Sequence, residues 1–509
     1  MRGNSKLSPS PNPLPSREGG ISVIPAKAGI HLCFLFLFSF FSSTTFAIQP
    51  AVVSAHPEAS QVGLEILKKG GSAADAAVAM AFALSVVEPH HSGLGGGGFL
   101  LYYVAKEDRF YFIDYREAAP QILQPKVSKK AIKPNADFEK GVASVGVPGF
   151  ILGMETIHKK WRKVSWPAVI DPSIELAKKG FLTDSEMKRL LGDASASLPP
   201  KLDFTDLART LENIKTGGSW VFYQGELGTQ LVSFLKEQGG LITSSDLKNY
   251  KVYFRKPYTF DHGAYQVVSA GAPSSGGTGM DILFKRAVIY ELKKQAPNTT
   301  RFFELLIKSF HDYFDFRDIA LGDTPNNIIS HTTHLCAVDS EGNIASMTNT
   351  LNSPFGSGLI LPHTGIILNN ELADFSAQTN SANRLRGGFR PLSSMAPTLV
   401  FKDKKPFLAL GTPGGLTIPQ NLFQVLYLFL DEHIPLNRSV AYPKIYFSPK
   451  TREVVLEKGF PKKMLSWFKE NYEIREENTI GNVEALVFRG DKTTVVTDPR
   501  GQGRGLILN

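Results

Sequence analysis

Two threonines, Thr332 and Thr350, have the types and the spacing to do chemistry together. A threonine hydroxyl is a weak nucleophile unless a base sits beside it. A threonine at a chain start carries that base itself, an α-amine with a pKa of about 7.7–8.0. Its β-methyl stiffens χ1, so the hydroxyl is held in one direction. Thr332 is internal, so this chemistry requires the His331–Thr332 bond to be cut first, by attack of the Thr332 hydroxyl on the His331 carbonyl.

The element that must position the pair is the stretch TTHLCAVDSEGNIASMTNTLN, residues 332–352. Thr332, His334, Cys336 and Val338 alternate with Thr333, Leu335, Ala337 and Asp339, the period of a strand. Ser340-Glu341-Gly342 supplies a tight loop with a glycine where a positive φ is needed, and a second strand returns from Ile344. If Asp339 faces Asn343, Thr332 lies opposite Thr350 on one sheet face, within reach of a side-chain hydrogen bond. A bulge at Gly342 would move that register by one residue.

Other turns bring candidate groups. Gly411-Thr412-Pro413-Gly414-Gly415 sits between an apolar strand and a helix starting near Pro419. Adjacent glycines there leave N–H groups to face a developing oxyanion, each donor being worth about 10²–10³ in rate. An acidic turn, NNELADF, spans 369–375, and RPLSSM spans 390–395. Ser72 with Asp75 makes a capping box before an Ala-rich helix that runs to about Val87 and is apolar all round, hence buried. The glycines at 93–98 contain a nominal G-x-G-x-x-G, but the strand-like FLLYYVA that follows fails the context a dinucleotide loop needs. Helical patterns cover 58–69, 150–161, 226–238, 279–295 and 301–320, with another helical stretch from Pro172 to Gly180.

Several chemistries are disfavoured. His331 and His334 stand three apart on a strand and face opposite sides, a poor metal pair, and no G-x-S-x-G elbow is present. Cys336 inside a strand pattern reads as a small buried hydrophobe. The chain has 509 residues, 42% hydrophobic and 20% charged, enough for one large globular unit or two domains. Its net charge of +9 comes from Lys and Arg scattered among acids, which argues against a nucleic-acid stripe. Residues 1–47 read as a Pro- and Ser-rich leader, an apolar run HLCFLFLFSF and a small-residue site at Thr45-Phe46-Ala47, the shape of a secretory signal. The run is too short for a membrane helix, though an uncleaved anchor is the rival reading. The expected location is the periplasm or the medium. Removal of Cys33 with the leader leaves a single thiol and no internal disulfide.

Taken in order, GGSAADAAVA, EPHHSGLGGGGF, DYREAAP, VPG, PSSGG, TTH with VDSEGN, NNELADF, RPLSSMAPT, GTPGG and DPR resemble the gamma-glutamyltransferase family, from about Val52 to Arg500. The resemblance implies an α+β fold, the four-layer αββα sandwich of the N-terminal nucleophile hydrolases. It implies a precursor that cuts itself into a large subunit, 48–331, and a small subunit, 332–509, which stay together as a heterodimer. It makes Thr332 the nucleophile, Thr350 the residue that orients it, and Gly414 and Gly415 the oxyanion hole. Arg116, Ser393 and Ser394, with Asn352 nearby, would hold the α-carboxylate of a glutamyl group, and Glu371 and Asp374 its α-ammonium. The implied substrates are glutathione and other γ-glutamyl small molecules, with no cofactor, no metal and no nucleic-acid partner. An arginine fork and a pair of acids suit the two charges of an amino-acid head.

The sequence departs from the family pattern in three places. Only eight residues separate Asp323 from Thr332. The span from Phe375 to Ser393 is too short for a long lid loop, which predicts an open cleft, and Pro443 is followed by Lys444 where the family often has Arg. Two rivals stand beside the glutamyl reading. One is an acylase for glutaryl-cephalosporin-type amides, whose substrates lack the ammonium that Glu371 and Asp374 would meet. The other is a non-enzymatic secreted relative, which would be expected to lose the nucleophile or the glycine turn.

Overall fold

The structure, a computed structural model, describes residues 48–123, 138–182, 185–191, 201–322, 331–376, 378 and 380–508. The expected leader, 1–47, and residues 323–330 of the short segment before Thr332 lie outside the described residues.

Two antiparallel sheets dominate. The first has seven strands: β1 (Ala51–Ser54), β2 (Gly97–Val104), β3 (Arg109–Asp114), β4 (Tyr253–Arg255), β7 (His331–Val338), β8 (Ile344–Asn352) and β13 (Arg504–Ile507). Their spatial order is β13-β1-β7-β8-β2-β3-β4. The second sheet comprises β5 (Tyr258–His262), β6 (Tyr265–Ser269), β9 (Thr398–Lys402), β10 (Lys405–Gly411), β11 (Glu484–Arg489) and β12 (Lys492–Thr497), in the order β12-β11-β10-β9-β6-β5.

Alternation along the strands builds the layers. In β2, Leu100, Tyr102 and Val104 join one core, while Phe99, Leu101 and Tyr103 join the other. The same split separates Leu335 and Ala337 from Cys336 and Val338 in β7. The first core packs the sheet on helices α1 (Pro57–Lys68), α2 (Ala73–Val87) and α3 (Trp166–Lys179). The second joins it to the six-stranded sheet and to α4 (Gly276–Ile289), α5 (Thr300–Ala320) and α6 (Ile418–Leu430). The result is the expected α+β sandwich of helices, sheet, sheet and helices. A sheet buried on both faces explains why β7 and β8 carry almost no exposed position.

Helix α2 is buried over its whole length, and Ser72 with Asp75 forms the expected capping box. Helix α3 differs from the sequence reading. It begins at Trp166 and runs through Pro172. Pro167 sets its first turn, and burial of Val169, Ile170, Ile174 and Ala177 outweighs the roughly 3 kcal/mol an interior proline costs. Among the described residues no helix is long and apolar enough to cross a membrane.

Candidate active site

The hairpin forms in the expected register. Ile344 pairs with Val338, and Thr350 pairs with Thr332. Gly342 has φ +80°, and its N–H closes the turn on the Asp339 carbonyl at 3.0 Å. The register slips at the far end, between Thr350 and Asn352, where His331 pairs with Asn352. Asn352 takes φ 75° there, an unusual value for a non-glycine residue. The bond expected to be cut therefore sits where the ladder is dislocated.

Thr332 Oγ1 lies 3.3 Å from Thr350 Oγ1, and both residues are buried. Thr350 Oγ1 also accepts from Asn352 N–H at 2.9 Å. With that bond accepted, the Thr350 proton can be given to the Thr332 oxygen. Close approach of β2 is what walls this corner. Gly97 stands opposite Thr350, and a Cβ on it would meet Glu117 Oε2 and the Tyr115 carbonyl at 2.6 Å. The glycine run is thus a sheet contact, and the strand reading of FLLYYVA holds.

One pocket gathers most of the expected residues: Thr350, Arg116, Glu371, Asp374, Ser393, Ser394 and Gly415. Arg116 stands two residues past the end of β3. Its N–H donates to Asp114 Oδ1 at 2.9 Å, and Tyr250 Oη donates to its carbonyl at 2.7 Å, which fixes the backbone and sends the side chain inward. Its Nη2 donates to Asp374 Oδ2 at 2.6 Å and lies 2.6 Å from Glu371 Oε1, and its Nε donates to the Pro391 carbonyl at 3.0 Å. The arginine and the two acids, which the sequence reading assigns to opposite charges of a substrate, are here paired with one another.

Asn369 holds the acidic turn in place. Its Oδ1 accepts from Gly146 N–H and Glu371 N–H, and its Nδ2 donates to the carbonyls of Gly95 and Gly146. Ser393 is set by a second meeting of distant motifs. Its N–H donates to the Pro273 carbonyl, and its carbonyl accepts from Ser275 N–H at 2.8 Å. The PSSGG and RPLSSM turns are therefore stitched together.

Gly414 and Gly415 have φ of +133° and +57°, which a side chain would resist. The Gly414 carbonyl turns back to accept from Thr417 N–H and Oγ1 at 3.1 and 2.9 Å. In a trans peptide the following N–H, that of Gly415, points the opposite way. Asn352 is not among the pocket-lining residues. Its Nδ2 donates to the Asn370 carbonyl at 3.2 Å, and its contribution to the corner is the backbone bond to Thr350.

The electrostatics are those of a buried cluster. Burial raises the Glu371 carboxyl well above its usual range, against the pull of Arg116. Burial lowers the Arg116 guanidinium, but Glu371 and Asp374 outweigh it and leave it raised. Glu117, beside them and fully buried, is pushed by burial to about 7. The pocket has a volume of only about 20 Å³, space for about one water. Within it the guanidinium and its acids close on each other. Gly388 donates its N–H to the Ala119 carbonyl, and Gly387 donates its N–H to that of Leu123.

Two residues escaped the sequence reading. Glu117 lies within a motif quoted for its arginine alone. Arg317 lines the pocket from α5 and is buried. Its signal was a charge on the apolar stripe Phe310, Tyr313, Phe314, Arg317. Cys336 is buried as expected, and burial pushes its thiol up. His334 beside it is held by Thr348 Oγ1 at 2.9 Å and Cys336 Sγ at 3.2 Å, and burial lowers it to about 3, so it stays neutral. Lys444 sits outside the pocket, donating to the Val440 carbonyl and facing Asp498 at 3.4 Å.

Comparison with known proteins fits this geometry. The family model described as Gamma-glutamyltranspeptidase matches residues 59–330 and 324–508. The chain is 33% identical over 490 residues to a glutathione hydrolase proenzyme of Bacillus subtilis strain 168, covering 82% of this chain and 83% of that one. It is 32% identical over 540 residues to a glutathione hydrolase proenzyme of Pseudomonas aeruginosa, covering 92% and 96%. The crystal structure of a cephalosporin acylase from Bacillus halodurans superposes with a TM-score of 0.78 over 90% of this chain and 96% of that one. At 22% identity that likeness bears on the fold alone.

Proposed function

The chain belongs to the gamma-glutamyltranspeptidase family, and on that premise we propose that it is a γ-glutamyl hydrolase and transferase made as a self-cutting precursor. The observation that carries the reading is the joining of Thr350, Gly415, Arg116, Glu371 and Asp374 in one pocket, with Thr332 hydrogen-bonded to Thr350.

Maturation begins with the Thr332 hydroxyl attacking the His331 carbonyl. The peptide shifts to an ester, water cuts the ester, and Thr332 becomes a chain end. Its amine then takes the hydroxyl proton as the oxygen attacks the γ-carbonyl of a donor such as glutathione. Thr350 holds the hydroxyl in line, and the Gly414–Gly415 turn offers N–H to the oxyanion. The amine of the departing cysteinylglycine takes up the proton. Water, or the amine of an amino acid or peptide, then attacks the ester and carries the γ-glutamyl group away.

Arg116 with Ser393 and Ser394 faces the donor's α-carboxylate, and Glu371 with Asp374 its ammonium. Substrate must part the ion pairs they now share. Both acids being built into the pocket favours γ-glutamyl over glutaryl donors. The 48–331 and 332–509 pieces remain together as one heterodimer, and the leader directs the precursor to the periplasm or the medium.

Mass spectrometry of the mature protein, with turnover of γ-glutamyl and glutaryl anilides, tests all of this. A small chain beginning at Thr332 and a preference for the γ-glutamyl donor are expected. An intact chain that turns over neither, or a clear glutaryl preference, overturns the reading.

A further inference from the structure

Arg317 was assigned no role above, yet it is among the largest fully buried side chains and lines the same pocket as Thr350. It sits one turn from the C-terminal end of α5, and its Nε faces Ser275 Oγ at 3.4 Å. Ser275 in turn donates its hydroxyl, at 2.9 Å, and its N–H, at 2.8 Å, to the Ser393 carbonyl. Arg317 is therefore tied to the serine side of the pocket. Arg116 is tied to the acidic side, with two carboxylates at 2.6 Å.

Charge decides which group each arginine can receive. The head of a γ-glutamyl donor brings one carboxylate and one ammonium. A carboxylate arriving at Arg116 alone would compete with Glu371 and Asp374 for the same Nη2. Arg317 adds a second guanidinium to the pocket lining beside Ser393 and Ser394, and a carboxylate taken out of water needs such a charged donor. We infer that Arg317, together with the Ser393–Ser394 turn, receives an oxygen of the donor's α-carboxylate and selects for donors that carry one. This rests on the γ-glutamyl reading above. Arg317 comes from the large segment and Ser393 and Ser394 from the small one, so the carboxylate is gripped across the cut.

The test uses the full chain and two donors, γ-glutamyl-p-nitroanilide and 4-aminobutyryl-p-nitroanilide, which keeps the amine and lacks the α-carboxylate. Arg317→Gln is expected to raise KM for the first about 10- to 100-fold, with kcat within about threefold, the scale of one charged hydrogen bond. The kcat/KM preference for the first donor over the second should fall by a similar factor. An unchanged KM, or an equal loss on both donors, would overturn the assignment and leave Arg317 a structural residue. If Arg317→Gln fails to mature, Arg317→Lys serves. A preference lowered at least about threefold supports the inference, and an unchanged one overturns it. A wild-type protein inactive on the first donor removes the glutamyl reading itself, whereas an active wild type with an unaltered preference in the variants removes only this inference.

Discussion

The hairpin and the charged pocket reach the same reaction centre by different means. Thr332 and Thr350 are brought together by backbone register between adjacent strands of one sheet. Arg116, Arg317, Glu371 and Ser393 arrive from a strand end, a helix, a turn and a loop that are far apart in sequence. The first arrangement is rigid before any ligand arrives, because both faces of its sheet are buried. The second is held by ion pairs that a ligand with its own charges can exchange. Rigid backbone suits the atoms that react, where small displacements are costly. Exchangeable pairs suit the atoms that recognise.

That contrast is open to attack at both ends. The largest effect belongs to the hairpin. Thr332→Ala should leave one uncut chain and lower turnover by more than about 10⁴-fold, read by mass spectrometry and anilide hydrolysis. A cut, active variant would break the assignment. A smaller, selective effect belongs to the pocket. Asp374→Asn should raise KM about 10- to 100-fold for a γ-glutamyl donor and change it little for a glutaryl donor, which has no ammonium. Equal effects on both donors would mean that Asp374 only shapes the site.

The smallest effect concerns stability. The buried Glu117 carboxyl has its folded-state pKa raised to about 7, against an unfolded value of about 4.3. Between those values the folded chain binds the proton and the unfolded chain does not. Stability from this group is complete below about pH 4.3 and declines as pH rises to about 7. Glu117→Gln should narrow the fall in Tm between pH 5 and pH 8. An unchanged difference would show that the carboxyl does not titrate in that window.

The sequence reading was strongest where local pattern and structure coincide. The register of β7 on β8, the positive φ at Gly342 and the Ser72–Asp75 box all follow from period and turn chemistry. It was weaker where burial overrides a local rule, as in α3, which runs through Pro172. Strands β1, β4, β5, β6, β11, β12 and β13 went unread, because short strands in a sandwich are defined by partners distant along the chain. The convergence of Arg116, Glu371, Asp374 and the serines followed from resemblance to a family rather than from spacing. Their pairing with one another, and the entry of Arg317 among them, needed coordinates, since no sequence period links a helix end to a loop.

The strand order of the first sheet carries one more consequence. β7, β8 and β13 follow the expected cut and share the sheet with strands that precede it, so that β1 is flanked by β13 and β7 and β8 lies beside β2. The second sheet is mixed too, with β5 and β6 preceding the cut and the rest following it. Breaking the chain before Thr332 would therefore change its connectivity without creating two separable bodies. Pulling the fragments apart means tearing both sheets, so dissociation and denaturation should be a single event, and isolated fragments should not be expected to rebuild the enzyme by simple mixing.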